Sequence, residues 1–414
     1  MRKIHLLGGI MKCRVCKNTN LSLAIDLGEQ PWGNHFLKGE EVRKEPFYPL
    51  QVVYCHDCQT AQLNYTVKKE VMFSNHTYLS GMTKTLCDHF DETAQRIDST
   101  FFSEKKKKRA LDIGSNDGSQ LKSYQTLGYD VLGVESSKQT ADIANHAQIP
   151  TMHAFFNVDT ASKIEGTFET INASGVFFHL EELHSVTDGI KLLLSDDGVF
   201  SVQFLYIQNI FENQAFDQIY HEHLLYYSLT TLSNLLSMHN IELFDAYHSP
   251  IHGGSIIAYA GHPGKHKISN RLQELLQAEV ELKTNEYQTY VDFAASLASM
   301  KERNIKYLEL KKKQNKTIYG MGAPVKGNTL LNFFGIGKQY LDCLVEKNTL
   351  RKGLFSPGSH LPILIEDELP SPPDVYYVLA WNFKNEILKR NKHLLDRGIE
   401  FYFPVEPKET LCTT

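Results

Sequence analysis

Short apolar runs alternate with amphipathic stretches through the middle of the chain, and this alternation predicts strand–helix–strand units. Strands are expected at 110–113, 130–134, 151–156, 168–173 and 199–204. Helices are expected after Gly118, at 137–146 and at 181–194, with a turn at 195–198 before the fifth strand. Such a pattern builds a parallel sheet with right-handed crossovers, which binds ligands at the carboxyl ends of its strands. A helix at 230–239 and a strand at 242–247 follow, then a glycine turn between strands at 251–257. Residues 267–316 contain no glycine or proline and read as a long, charged, amphipathic helical stretch. The alternation then resumes. A strand at 318–319 enters a glycine turn at 320–328 and a helix at 329–334, with further strands at 341–346, 375–380 and 400–405 and a helix at 383–397. The fold class is therefore α/β. The expected domains are a cysteine-bearing lobe at 11–72, an α/β domain at 73–264, a helical connector at 265–316 and a second α/β domain at 317–414.

Composition narrows the function classes. A hydrophobic content of 42% and a charged content of 22% are ordinary for a globular protein, and the net charge of −5 gives no electrostatic case for a nucleic-acid partner. The basic run 105–109 reads as a solvated turn before the first strand. No apolar run is long enough to span a membrane, and residues 1–10 are too short and poorly flanked for a signal peptide, so a cytoplasmic protein is expected. Met11 directly precedes the first cysteine motif, which makes the first ten residues a candidate dispensable extension. Seven cysteines include the pairs Cys13-Arg-Val-Cys16 and Cys55-His-Asp-Cys58. Without a secretory signal, two C-x-x-C knuckles indicate a metal rather than disulfides. Four thiolates close the tetrahedral shell of a structural zinc and leave no position for substrate.

Three stretches carry candidate chemistry. In the first, Asp112, Gly114, Asn116, Asp117 and Gly118 form a strand-to-helix turn, and Glu135 ends the next strand. Glycines let a backbone approach a ligand, and an acid there can accept from both hydroxyls of a ribose. The spacing is not that of a dinucleotide turn, and two carboxylates disfavour a pyrophosphate. A cationic, ribose-bearing ligand suits them, which favours S-adenosylmethionine over NAD. Ser136, Phe156 and Asn172 also stand at carboxyl ends of strands, with Phe156 as an adenine wall. In the second stretch, 216–228, Tyr220, His221, Glu222 and His223 are consecutive. If extended, Tyr220 and Glu222 share one face and the two histidines the other; in an irregular loop they spread. This is not HExxH, so acid/base chemistry is favoured over a catalytic metal. His179, just past the fourth strand, points to the same edge. The third group comprises two glycine turns, His252-Gly253-Gly254-Ser255 and residues 320–328 with Lys326 and Asn328. The latter is not a Walker A loop but suits an anion such as a diphosphate.

In this order the motifs resemble the sugar C-methyltransferases of deoxysugar pathways, which act on nucleotide-linked ketosugars. The resemblance spans nearly the whole chain and includes both cysteine knuckles, Leu111-Asp-Ile-Gly-Ser-Asn-Asp-Gly118, Phe216-Asp-Gln-Ile-Tyr-His-Glu-His223, His252-Gly-Gly-Ser255, Tyr319-Gly-Met-Gly-Ala-Pro-Val-Lys-Gly-Asn328, Ser356-Pro-Gly-Ser-His-Leu-Pro-Ile363 and Leu379-Ala-Trp-Asn-Phe383. It implies an N-terminal zinc lobe, a central Rossmann-like S-adenosylmethionine domain and a C-terminal Rossmann-like domain without a cofactor. It further implies that His223 is the general base and that Tyr78, His179, Tyr220 and Glu222 are the other polar residues of the active site. The acceptor would be a 4-keto-deoxysugar on deoxythymidine diphosphate, with guanosine diphosphate as the alternative nucleotide, and the protein a monomer or homodimer. Gln203, Glu346 and Gly322 depart from the family pattern. Two other functions are consistent with parts of the chain: an NAD-dependent nucleotide-sugar oxidoreductase using the turn at 320–327, and a non-catalytic protein whose zinc lobe recruits a partner.

Overall fold

A computed structural model of the chain describes residues 5–6, 9–73 and 79–406. Beyond a short ribbon of His5–Leu6 with Gly9–Ile10, the strands form three sheets. The first is antiparallel and runs Leu225–Tyr226, Ala61–Leu63, Phe47–Cys55, Leu21–Pro31. Its edge strand Leu225–Tyr226 comes from far along the chain, just after the Tyr220–His223 stretch, so this sheet is completed by the element that follows that stretch.

The central sheet has seven strands in the order Glu242–Ser249, Ser255–Gly261, Leu194–Leu205, Phe168–Ser174, Arg109–Ile113, Asp130–Glu135, Thr151–His153. The last five are mutually parallel, while Ser255–Gly261 inserts antiparallel beside Leu194–Leu205. Chain order reverses at Arg109–Ile113, which puts the first glycine turn at the topological switch point, where open α/β sheets bind ligands. The third strand is shorter than its apolar pattern suggests. It ends at His153, and residues 154–157 turn away so that Phe155 and Phe156 face the sheet's edge. The fifth strand begins earlier than expected, at Leu194, with a register shift before Val199 that absorbs the predicted turn.

The third sheet is wholly parallel, in the order Ile363–Ile365, Cys343–Glu346, Ile318–Met321, Val375–Val378, Glu400–Tyr402. Two helices precede it. The stretch expected as one helical run breaks between Asn270–Glu281 and Tyr287–Lys313, where Lys283 takes a φ of 55° and buried Thr284 bonds Gln208. The predicted helix at 383–397 is likewise broken into Lys384–Arg390 and Lys392–Leu395.

The small N-terminal sheet has little core of its own. Ile25, Leu50, Val52 and Leu63 join the same apolar cluster as Leu330, Leu344 and Val378 of the third sheet's layer. Cys13, Val15, Val53 and Cys55 join the cluster of Leu111, Ile171 and Phe200 under the central sheet. The lobe is thus wedged between the two larger bodies and buries apolar surface on both sides. No helix among the described residues is long and apolar enough to cross a membrane.

Candidate active site and cysteine centre

A cavity of about 1520 Å³ lies where the three bodies meet. Trp32 and Asn34 line it from the N-terminal lobe, Gly114, Glu135, His179 and His223 from the central sheet, and Val325 and Arg351 from the C-terminal body. Its first arm sits at the switch point. Gly114 has a φ of 68°, and a Cβ there would lie 2.7 Å from Val176, so the turn has room only for glycine. Glu135 ends its strand with Oε2 accepting from the Asn116 N–H at 2.9 Å and Oε1 from the Ser137 N–H at 2.7 Å. Phe155, Phe156 and Ser136 complete this arm, and Lys69, ion-paired to Glu182 at 2.9 Å, lies over Phe155. A glycine cradle, one carboxylate at a strand end and an aromatic wall fit a ribose-bearing cation.

Four residues expected to hold this ligand do other work. Asp112 is buried beneath the turn, and burial, aided by the nearby Glu135 charge, pushes its carboxyl well above the usual range. Of these two carboxyls, Glu135 is the one that lines the cavity. Asp117 accepts from the Gly81 N–H at 2.8 Å and from Ser119, tying down the start of the following helix. Gly118, with φ of 80°, is the cap of helix Ser119–Thr126 and packs on Ile149. Asn172 is fully buried, accepting from the Tyr124 hydroxyl and donating to Leu111 O, because strand alternation points it under that helix. The strand runs on to Ser174, which does line the cavity.

The polar constellation at 220–223 is neither strand nor helix. The His223 N–H bonds Tyr220 O at 2.9 Å, closing a turn, and the Leu224 N–H bonds Phe178 O at 2.9 Å, fixing that turn against the fourth strand's end. The turn gathers Tyr220, Glu222 and His223 on the cavity wall and sends His221 the other way. His221 is buried beside Tyr48 of the N-terminal lobe, where burial pushes its imidazole down to about 4. The strand-like face-sharing of the two histidines is thus not what forms. The His223 ring packs on Tyr220 at 3.8 Å, Phe178 at 4.7 Å and His179 at 5.1 Å. His223 Nδ1 lies 2.6 Å from Gln218 O; a proton on Nδ1 donates there and leaves the neutral ring's lone pair on Nε2. His179 Nδ1 makes the same contact with Glu222 O at 2.5 Å. The Glu222 carboxyl accepts from Trp32 Nε1 at 2.8 Å, and the Asn34 side chain lies beside it on the cavity wall. Burial raises the carboxyl to about 7 against those two side chains. Burial, with the Glu222 charge adding, holds the Tyr220 phenol well above its ordinary range, so it stays a donor. Tyr78 lies outside the described residues.

The third arm belongs to the C-terminal body. Its turn repeats the first arm's construction: Glu346 ends a strand and accepts from the Ala323 and Asn348 N–H groups. Lys326 and Asn328 are not aimed into this arm. Lys326 lends its stem to the wall, but its ammonium is buried 3.9 Å over the Trp381 ring, without a hydrogen bond. Burial lowers it to about 8, opposed by Asp217, which accepts from Trp381 Nε1. Asn328 is buried and donates to Gly33 O at 2.7 Å. Arg351, Arg390 and Lys347, unremarked in the sequence, are the cations on this part of the wall. At the other glycine turn, Gly253 packs against Asn382, Gly254 has a φ of 109°, and Ser255 reaches the cavity, donating to Ile251 O and accepting from Gln203. The His252 side chain lies outside the described residues.

Cys13, Cys16, Cys55 and Cys58 bring their sulfurs within 4.8 Å of one another, with Cys13–Cys58 and Cys16–Cys55 at 3.5 Å. A disulfide needs about 2.05 Å. Four thiolates about 2.3 Å from a zinc ion lie about 3.8 Å apart, so the set fits that ion and closes its shell.

Family comparisons agree with this layout. Residues 13–73 match a family model described as "Putative zinc binding domain", 80–245 one described as "Methyltransferase domain", and 250–406 one described as "C-methyltransferase C-terminal domain". In each of its three parts the chain is thus similar to a domain of C-methyltransferases that carry a zinc-binding domain. It is 29% identical over 410 residues to C-methyltransferase NovU of Streptomyces niveus, covering 96% of each chain. It is 31% identical over 117 residues to an uncharacterized methyltransferase of Alkaliphilus oremlandii, covering 27% of this chain and 51% of that one. Among solved structures it is similar to a magnesium protoporphyrin IX methyltransferase from Synechocystis with bound SAM, at 13% identity and a TM-score of 0.36, covering 48% of this chain and 100% of that one. The fold is the α/β class expected: a Rossmann-like methyltransferase domain flanked by a zinc-binding lobe and a second Rossmann-like body.

Proposed function

We propose that this protein is a C-methyltransferase that methylates a nucleotide-linked 4-keto-deoxysugar at a carbon adjacent to its ketone, through an enolate. The observation that carries the reading is the turn at 220–223. It sets an imidazole, a phenol and a high-pKa carboxyl on the wall of a cavity shared by the donor arm and the C-terminal body. Carbon alkylation needs a carbanion equivalent, and a ketone acidifies the protons beside it. His223 Nε2 takes that proton; the C–H pair moves into the enolate and the oxygen gains negative charge. Tyr220 and His179 surround the place where that charge develops, and a neutral phenol donates to it. Glu222 holds a proton near neutrality and lends the cluster a second acid/base group. Glu135, Gly114, Asn116, Ser136 and Phe156 hold S-adenosylmethionine, which when bound supplies an electrophilic methyl group. The acceptor's nucleotide belongs in the C-terminal arm, with deoxythymidine diphosphate first and guanosine diphosphate second. There Arg351, Lys347 and Arg390, rather than Lys326, are the cations on the wall. The four-thiolate zinc takes no part in the reaction and ties together the two knuckles of the N-terminal lobe. Reduced thiolates accord with a cytoplasmic setting.

The experiment is mass spectrometry of methyl transfer across a panel of nucleotide-linked 4-ketosugars. The reading expects a mass gain on carbon that depends on S-adenosylmethionine. Methylation confined to oxygen, or none with any ketosugar while other acceptors react, sinks it.

A further inference from the structure

Three parts of the molecule meet at residues 32–34. This segment continues the strand Leu21–Pro31, whose far end pairs Leu21 with the zinc ligand Cys55. On one side, Trp32 Nε1 donates to Glu222 Oε1 at 2.8 Å, and the Asn34 side chain lies beside the same carboxyl. On the other side, Gly33 O accepts from Asn328 Nδ2 at 2.7 Å. A Cβ on Gly33 would lie 3.1 Å from Val325 O and 3.3 Å from Val325 Cγ1, so the C-terminal helix start rests directly on this glycine. Further along, Leu37 and Phe355 exchange backbone hydrogen bonds at 2.9 and 2.8 Å, and buried Glu45 accepts from the Gly358 N–H and His360 Nε2. The segment is thus clamped to the C-terminal body while its side chains hold a carboxyl of the central one.

We propose that residues 32–34 form a positioning strap that sets the proton affinity of Glu222, with Trp32 and Asn34 as its positioning residues. The proposal rests on Glu222 belonging to the reacting cluster. An indole N–H can only donate, so it favours the carboxylate and opposes the effect of burial. Without the strap, burial holds the Glu222 midpoint above neutrality; with it, the group changes charge near neutral pH. The other titratable groups beside Glu222 are Tyr220 and His223 on its own turn, His179 beside them and His35 stacked on Trp32 at 6.1 Å. Trp32→Phe alters none of these and keeps the aromatic packing.

The test is infrared detection of the protonated carboxyl band against pH in the full-length, zinc-loaded protein without substrate, using Glu222→Gln to assign the band. Trp32→Phe is expected to raise the Glu222 midpoint by about one unit, a tenfold change in proton affinity. Asn34→Ala should shift it in the same direction, and serves if Trp32→Phe fails to fold. The pH dependence of methyl transfer should move with the midpoint. An unchanged midpoint in a folded variant overturns the strap. A shifted midpoint in a protein that methylates no ketosugar spares the strap and sinks the functional reading instead.

Discussion

Replacing Glu222 with glutamine should make the protein more stable, and only at the right pH. The side chain is 5% exposed, and burial raises its carboxyl from 4.5 to about 7. In the unfolded chain it titrates at the ordinary value, so between those two values the native state binds the proton more tightly. Unfolding then releases a proton, and stability falls as pH rises through this window. The contribution is fully present below about pH 4.5 and lost above about pH 7. A gap of about 2.5 units at about 1.36 kcal/mol per unit gives a cost of about 3 kcal/mol at alkaline pH. Glutamine has nearly the same shape, carries no charge, and still accepts from the Trp32 N–H through its amide oxygen. Its advantage over the parent should therefore be under about 1 kcal/mol at pH 5 and about 3 kcal/mol at pH 8. Urea unfolding of both proteins at the two pH values measures the double difference, in which pH effects common to both, such as those on the thiolates, cancel. An advantage equal at the two pH values would mean that Glu222 titrates normally, and the argument from burial would fail.

Three other outcomes follow from the same geometry. Glu135→Ala removes the carboxylate facing the donor arm and should cost about 2 kcal/mol of S-adenosylmethionine affinity, roughly 30-fold in Kd, by calorimetry; unchanged affinity would move the donor elsewhere. Chelation, or Cys55→Ser, should release zinc and lower the melting temperature, because Cys13, Val15 and Cys55 pack into the central sheet's core; an equally stable protein without zinc would contradict the ion's structural role. Lys326→Met with Asp217→Asn should be near neutral in stability, whereas Asp217→Asn alone should be destabilising, because it leaves the buried ammonium without its counter-charge.

The α/β alternation was legible because strand and helix periods differ and because the glycine turns and Glu135 mark the switch point. Breaks within long polar stretches were not: the turn at Lys283 depends on Thr284 finding Gln208, a partner distant in sequence. The cysteine set was legible from spacing alone. In the site, residue type identified Glu135, Tyr220, Glu222 and His223 as candidates for the cavity, but it could not fix direction. Asn172 and Asn328 are the same residue type at comparable strand and helix ends, and tertiary packing turned both into internal hydrogen-bond donors. The role of Trp32 was hard to read in the sequence, because its partner lies nearly two hundred residues away. The sequence Gln-Pro-Trp-Gly-Asn at 30–34, a turn-forming cluster around a tryptophan at the end of a strand, was the one available hint.

The central claim is that His223 removes a proton from the carbon to be methylated. Nuclear magnetic resonance of a nucleotide-linked 4-ketosugar in deuterated buffer, with enzyme and no methyl donor, reads that step alone. The account predicts that the protein catalyses exchange of the proton beside the ketone, and that folded His223→Asn loses this exchange by about 10²- to 10⁴-fold. Exchange undiminished in folded His223→Asn would contradict it and leave Glu222 as the group to test next.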